Sequence, residues 1–139
     1  MDYEIVSFRL SAGSYMKVLT SVGKPSFMDE LVDNPKSRQR SVLIARTVER
    51  VNKNGLDWAR SSHTLKTITA DLSVFELRVP GKVIRVMTYV HEGRVPVYLF
   101  DFDGHQGKNG KLPPSLMKRA EALARIAFEC MKRENEDER

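Results

Sequence analysis

The sequence has a single cysteine, Cys130, so the chain cannot close an internal disulfide bond. No apolar run approaches the roughly 20 residues of a membrane-spanning helix. The first ten residues, MDYEIVSFRL, lack the basic region and apolar core of a signal peptide. No two of the three histidines have the i, i+4 spacing of a helical metal pair. These absences predict a cytoplasmic protein with no membrane partner, no metal site and no cofactor.

The charge balance is basic: 23 lysines and arginines against 18 acidic residues give a net charge of +5 and a pI near 9.5. Such an excess favours a polyanionic partner, either nucleic acid or an acidic protein, although many basic proteins bind no anion. The length of 139 residues predicts one domain spanning 1–139, with 132–139 as a frayed helix end.

Local patterns predict a strand, two helices, three antiparallel strands and a final helix, which is an α+β domain with a small curved sheet. Residues 14–21 are β-rich and fit either a strand or a loop. Turns are expected at Pro80-Gly81 and Glu92-Gly93. The predicted strands cover 3–10, 74–79, 83–90 and 95–103, and the predicted helices cover 25–32, 36–54 and 115–131.

The predicted helix 36–54 is strongly basic outside its apolar stripe. Its exposed faces carry six cations and only Glu49 in opposition. This charge indicates either a solvated face or a stripe that faces phosphates. The cations are Lys36, Arg38, Arg40, Arg46, Arg50 and Lys53.

Two arginines stand in the predicted hairpin FELRVPGKVIRVMTY (75–89). Because side chains alternate between the two faces of a strand, Arg78 points away from Phe75 and Leu77, and Arg85 points away from Ile84 and Val86. A two-residue turn would pair Glu76 with Arg85, and a four-residue loop would pair Arg78 with Arg85. Both registers place the two arginines on one face.

An even-numbered turn at Glu92-Gly93 would set Arg85 opposite Phe100 and Met87 opposite Tyr98. One interpretation of the resulting face is a platform for single-stranded nucleic acid, where bases stack on rings and arginines hold phosphates. In the other interpretation, the last helix covers the aromatic rings, and the arginines pair with Glu76 or with a partner protein. The predicted face gathers Arg78, Arg85, Tyr89, Tyr98, Phe100 and Phe102.

The loop GHQGKNGK (104–111) follows a strand and precedes a helix, but it is not a Walker loop. Five residues separate Gly104 from Gly110, and Leu112 stands where a magnesium-binding hydroxyl is required. The loop does offer His105 for proton transfer near neutral pH, and Lys108 and Lys111 to neutralise a phosphate.

The pattern FELRV, IRVMTYV and GRVPVYLFDF, followed by a lysine-containing loop and a basic helix, resembles the RelE/ParE toxin superfamily. The stretch GKPSFMDELVDNP (23–35), before a basic helix ending in KNG (53–55), is similar to its HigB-like, phage-derived branch. The resemblance covers about residues 20–126. It implies a RelE-like α+β fold, with two N-terminal helices and a C-terminal helix around a small curved antiparallel sheet.

The resemblance also implies the toxin of a type II toxin–antitoxin system, which cuts mRNA on the ribosome by metal-free 2′-hydroxyl attack. The implied partners are a cognate helix-turn-helix antitoxin, the ribosome and mRNA. Arg78, Arg85, His105 and Lys108 would be catalytic. RNA-binding roles would fall to Arg38, Arg46, Arg50, Tyr89, Tyr98, Phe102 and Lys111.

Two departures from the family's pattern keep other functions open: the residues after the last predicted strand differ, and the loop that follows them is longer. Asp103-Gly104 stand where HigB-like members usually carry a lysine pair, so Asp101 and Asp103 join His105 as candidates for proton transfer. His63 lies upstream of the ELR strand, where some relatives place a functional histidine or lysine, and ranks below His105. The alternatives are a ParE-like toxin that inhibits gyrase and a non-catalytic binding module of a phage or mobile element.

Overall fold

A computed structural model describes residues 2–69, 71, 73–91, 94–104 and 112–137. These residues form six strands: β1 Tyr3–Arg9, β2 Tyr15–Ser21, β3 Leu65–Thr69, β4 Val74–Arg78, β5 Ile84–Tyr89 and β6 Val97–Asp103. Four helices accompany them: α1 Phe27–Asp33, α2 Arg38–Asn54, α3 Leu56–Ser61 and α4 Pro114–Asp137. Within the described ranges, no helix has both the length and the apolar character needed to cross a bilayer.

The six strands form one sheet in the order β1-β2-β6-β5-β4-β3. Neighbouring strands are antiparallel except β2 and β6, which pair in parallel. The predicted fold class is therefore wrong: the chain begins with a β-hairpin instead of two helices, and the sheet is mixed. The helices follow that hairpin, and the long α4 lies at the C-terminal end.

The N-terminal hairpin is a complete ladder in which β1 and β2 pair from Tyr3–Ser21 to Arg9–Tyr15. A single 3₁₀ turn at Ser11–Gly13 joins the two strands, and the Leu10 amide donates to the Ser14 carbonyl at 2.8 Å. Residues 14–21 thus supply a strand. The parallel pairing of β2 with β6 makes β2 an interior strand, with Met16 and Val18 fully buried.

Helices α1 and α2 lie close to the positions predicted for them. A capping box starts α1: the Asp29 amide donates to Oγ of Ser26, and the Ser26 amide donates to Oδ2 of Asp29. Gly55 follows the last residue of helix α2, and its φ of 91° is a left-handed conformation that glycine adopts without steric cost.

The sheet separates two hydrophobic clusters. Helices α1, α2 and α3 cover one face, which includes Phe75, Leu77 and Tyr98. Helix α4 covers the other face with a stripe of small side chains, Ala120, Ala124 and Ala127. Met87, Tyr89, Phe100 and Phe102 belong to this second cluster.

The β4–β5 register is the one predicted for a four-residue loop, with Arg78 opposite Arg85. The predicted β5–β6 register is wrong, because Arg85 lies opposite Phe102 and Met87 lies opposite Phe100. A register shift follows Met87, so Thr88 pairs with Tyr98. Such a bulge changes the alternation of side chains, and Tyr98 therefore joins the helix α1–α3 face instead of the arginine face.

Tyr98 is fully buried, and its hydroxyl has no hydrogen-bond partner within the described parts of the chain. Burial raises the pKa of this phenol. An unpaired buried hydroxyl costs about 1–3 kcal/mol of desolvation, so Tyr98→Phe should leave the free energy of unfolding unchanged or raise it by about 1 kcal/mol. Chemical denaturation of the wild type and the variant would measure this difference in the free energy of unfolding.

Tyr89→Phe is the matched control, because the Tyr89 hydroxyl lies 3.3 Å from Nδ1 of His91. This control should lower the free energy of unfolding by about 1 kcal/mol. A larger loss for Tyr98→Phe than for Tyr89→Phe would contradict the unpaired state of the Tyr98 hydroxyl.

Candidate phosphate site

Arg78 and Arg85 share one carboxylate, that of Glu76. The Nε atom of each arginine lies 3.0 Å from Oε1 of Glu76. The Arg78 contact is a hydrogen bond, whereas the Arg85 contact has ion-pair distance without hydrogen-bond alignment. The Glu76 side chain is 8% exposed, compared with 36% for Arg78 and 19% for Arg85. The carboxylate is therefore more deeply buried than either arginine side chain.

Two backbone carbonyl groups hold the Arg85 guanidinium. Its Nη1 donates to the carbonyls of Lys82 at 2.7 Å and Ile84 at 3.0 Å. On another side it lies against Gly104, where an added Cβ would come within 2.7 Å of Nε and 2.9 Å of Cγ of Arg85. Only glycine leaves this space, so Gly104 supports the position of Arg85.

A surface depression of about 510 Å³ lies at this end of the sheet. Arg78, Arg85 and the exposed Lys82 line it together with His63. The Arg78 amide donates to the Thr64 carbonyl at 2.8 Å, which holds the segment before β3 beside β4. Three cations meet one carboxylate here, so the depression keeps an excess of positive charge and is suited to a phosphate.

His63 has a φ of 61°, in the left-handed region. It follows Ser62, the capping residue just after α3, and its amide donates to the Arg60 carbonyl at 3.1 Å. Helices commonly end in this conformation, and glycine usually occupies the position. A histidine here tolerates some strain, and it places an imidazole at the depression.

Arg40 of α2 holds the end of β6. Its Nε donates to Oδ2 of Asp101 at 2.7 Å, its Nη1 to Oδ1 of Asp103 at 2.8 Å, and its Nη2 to the Phe102 carbonyl at 3.0 Å. Both carboxylates proposed for proton transfer are thus engaged by one guanidinium. This contact fixes the strand immediately before Gly104.

The aromatic residues of the arginine face do not form an open platform. Tyr89, Phe100 and Phe102 are buried in the cluster under α4. Burial also raises the pKa of Tyr89. The second interpretation of this face is the one observed: the last helix covers the rings, and the arginines pair with Glu76.

The other predicted residues lie elsewhere or outside the described chain. Arg38, Arg46 and Arg50 are exposed on α2, on the sheet face opposite α4, so they are apart from the Arg78–Arg85 pair. His105, Lys108 and Lys111 lie outside the described residues. Across the described ranges, no three His, Cys, Asp or Glu side chains group as metal ligands would.

Sequence patterns offered Glu76 as a partner of the arginines, but they did not place Lys82 or Gly104 at the site, and they ranked His63 below His105. The sequence did not predict strand β3, because its residues LKTIT include only two large apolar side chains. Once β3 is paired with β4, Lys66 lies opposite Glu76, and His63 falls near Arg78. Such a pairing would have brought His63 to the arginines.

Gly104→Ala should displace the Arg85 guanidinium and weaken phosphate binding by about tenfold, the effect of losing one charged hydrogen bond. An NMR titration with inorganic phosphate measures the affinity. In an Arg85→Ala background, Gly104→Ala should have no further effect. Equal effects of Gly104→Ala in both backgrounds would show that Gly104 does not act through Arg85.

His63→Gly and His63→Ala both remove the imidazole, but only glycine relieves the left-handed backbone. We expect His63→Gly to be more stable than His63→Ala by about 1 kcal/mol in denaturant unfolding. An alanine variant as stable as the glycine variant would contradict the strained position of His63.

Comparison with known proteins adds no relative: no family model matches the chain, and neither a curated protein nor a solved structure shows significant similarity to it. The likeness to the RelE/ParE superfamily therefore depends on the residue patterns of the sequence.

Proposed function

We propose that the protein is an endoribonuclease that cleaves mRNA on the ribosome without a metal ion, acting in the cytoplasm as the toxin of a type II toxin–antitoxin system. The observation that carries the chemistry is the convergence of Arg78, Arg85, Lys82 and His63 on one depression. The toxin role, the ribosome and a helix-turn-helix antitoxin are taken from the sequence resemblance.

The arginines would bind the scissile phosphate. Glu76 orients both guanidinium groups from below, and the backbone carbonyls of Lys82 and Ile84 hold that of Arg85. A site organised before the substrate arrives stabilises the charge that develops on a pentacovalent phosphate. Lys82 adds a further cation at the rim of the depression.

The reaction needs one proton acceptor and one proton donor. A base removes the proton of the 2′-hydroxyl, the 2′-oxygen attacks the adjacent phosphorus, and the 5′-oxygen leaves with a proton from the acid. The products are a 2′,3′-cyclic phosphate and a 5′-hydroxyl. His63 can fill one of these roles. The other role is assigned to His105, which follows Gly104 in the chain, and Lys108 would support the developing charge.

Several residues that the sequence offered for the site receive no role in the reaction. Tyr89, Tyr98 and Phe102 are buried, so base stacking is not assigned to them. Asp101 and Asp103 are bound by Arg40, so proton transfer is not assigned to them either. Arg38, Arg46 and Arg50 keep their proposed role as contacts to ribosomal RNA on an exposed helix, and Lys111 keeps its proposed RNA contact.

A non-catalytic binding module is the second candidate. It is favoured by Glu76, because that carboxylate engages both arginines and leaves part of their charge already compensated. Such a site would bind a phosphate chain or an acidic protein without cleaving it. Both candidate functions use the same depression, but only the nuclease would cleave the RNA that it binds.

Induction of the wild type in cells should produce codon-phased cuts in mRNA, detected by mapping 5′ ends, and Arg85→Ala should abolish them. Arg9→Ala is the matched control, since Arg9 is an exposed arginine on β1, at the opposite edge of the sheet. This control should cut like the wild type.

Two outcomes would contradict the nuclease, and a third would contradict its assignment to this depression. Double-strand DNA breaks with intact mRNA would favour gyrase inhibition. Binding of RNA without cuts, by a folded wild type, would favour the binding module. Cuts that persist in Arg85→Ala would place the reaction elsewhere in the chain.

A further inference from the structure

A second depression adjoins the phosphate site. It has a volume of about 600 Å³, and its lining includes Arg60, Lys66 and Phe75. His63 lines both depressions, so the two share a wall. A ligand that fills the phosphate site can therefore continue past His63 into the second depression.

The lining of this second depression includes a guanidinium group that lies over an aromatic ring. Cζ of Arg60 lies 4.9 Å from the centroid of the Phe75 ring. Phe75 is only 5% exposed and is held in the core beneath α3, whereas Arg60 is exposed. The ring contacts the guanidinium on one side, and the Arg60 side chain remains accessible to solvent.

The charge of the second depression has the same sign as that of the phosphate site. Arg60 and Lys66 both line it. Asp57 and Asp71 are the carboxylates nearest to these cations in the chain. Within the described residues, neither aspartate lies within ion-pair distance of Arg60 or Lys66. The site therefore offers a planar cation beside a second cation.

We infer that single-stranded RNA occupies both depressions, with one nucleobase stacked on the Arg60 guanidinium and a neighbouring phosphate held by Arg78 and Arg85. The inference rests on the proposed function, because it identifies the substrate as an unpaired strand. Proteins commonly stack splayed bases on arginine planes as well as on aromatic rings. The bases of a duplex are already stacked on each other, so a duplex would not use this surface.

His63 gains a defined place in this arrangement. Its imidazole lies at the wall between the base site and the phosphate site. The ribose that carries the attacking 2′-hydroxyl also lies between a base and its 3′ phosphate. A base stacked on Arg60 would thus bring its own sugar to His63.

The test uses the full-length protein and two oligonucleotide probes of equal length and charge, measured by fluorescence anisotropy. One probe carries bases and is made non-cleavable by 2′-deoxy sugars; the other has the same sugar–phosphate chain without bases. Arg60→Lys keeps the positive charge but removes the planar group. We expect it to weaken binding of the base-containing probe by about tenfold and to leave the abasic probe unchanged.

Arg9→Lys, on the opposite edge of the sheet, is the matched control and should change neither affinity. If Arg60→Lys unfolds at the same midpoint temperature as the wild type, its fold is retained. Because Arg60 is exposed, we expect that result. If the lysine variant is unstable, the preference of the wild type for the base-containing probe over the abasic probe still tests the inference.

The base-stacking inference is overturned if the wild type binds neither probe, if it binds both probes equally, or if Arg60→Lys weakens both by the same factor. The last result would make Arg60 a simple charge. Failure of the proposed function has a different signature. In that case, the Arg60-dependent preference for bases persists while the wild type leaves mRNA uncut on the ribosome.

Discussion

The buried carboxylate of Glu76 is the constraint on which the site depends. Arg78 and Arg85 are direct partners across two antiparallel strands, and like charges in that position repel each other. Glu76, two residues before Arg78, brings one negative charge within 3.0 Å of both. Removing it would leave two guanidinium groups side by side and partly desolvated, whereas removing an arginine would leave the carboxylate less compensated. The three side chains therefore form one unit.

This unit is supported by elements that are distant in the sequence. Gly104 closes one side of Arg85, and Arg40 on α2 holds β6 immediately before that glycine. The segment 62–64 is tied to β4 through the Arg78 amide, and it brings His63 to the same depression. Helix α4 covers the aromatic side chains next to the arginines. The open surface therefore lies beside the turn between β4 and β5 instead of over the rings. The site is polar and electrostatic in character, with little exposed aromatic surface of its own.

Local patterns predicted the parts of the fold that depend on local interactions. The hairpin loop between β4 and β5 followed from Pro80-Gly81, and the common face of Arg78 and Arg85 followed from strand alternation. The fold class did not follow, because the pairing of β2 with β6 joins segments about 80 residues apart and has no local signature. The bulge after Met87 also reversed the predicted face of Tyr98, and a one-residue shift of this kind leaves no clear trace in composition.

In the candidate site, too, local patterns placed some residues and could not place those that depend on long-range contacts. The alternation of side chains along the two strands was enough to bring the two arginines together, and it also offered Glu76 as a partner for them. His63 and Arg60 could not be placed without β3 and the short helix α3, which are five and six residues long. Elements of that length carry too few apolar positions to define a period. The groups that complete a site on such elements are recognised only once tertiary contacts are known.

The most direct test of the central claim is the salt dependence of binding to a non-cleavable single-stranded RNA analogue. Each neutralised phosphate adds about 0.7 to the magnitude of the slope of log affinity against log salt concentration for single strands. If Arg78 and Arg85 hold the phosphate chain, replacing both with alanine lowers the magnitude of that slope by about 0.7 for each phosphate that these arginines neutralise, and Arg9→Ala leaves it unchanged. An equal slope for the wild type and the double variant, both folded, would contradict the assignment of this depression as a phosphate site.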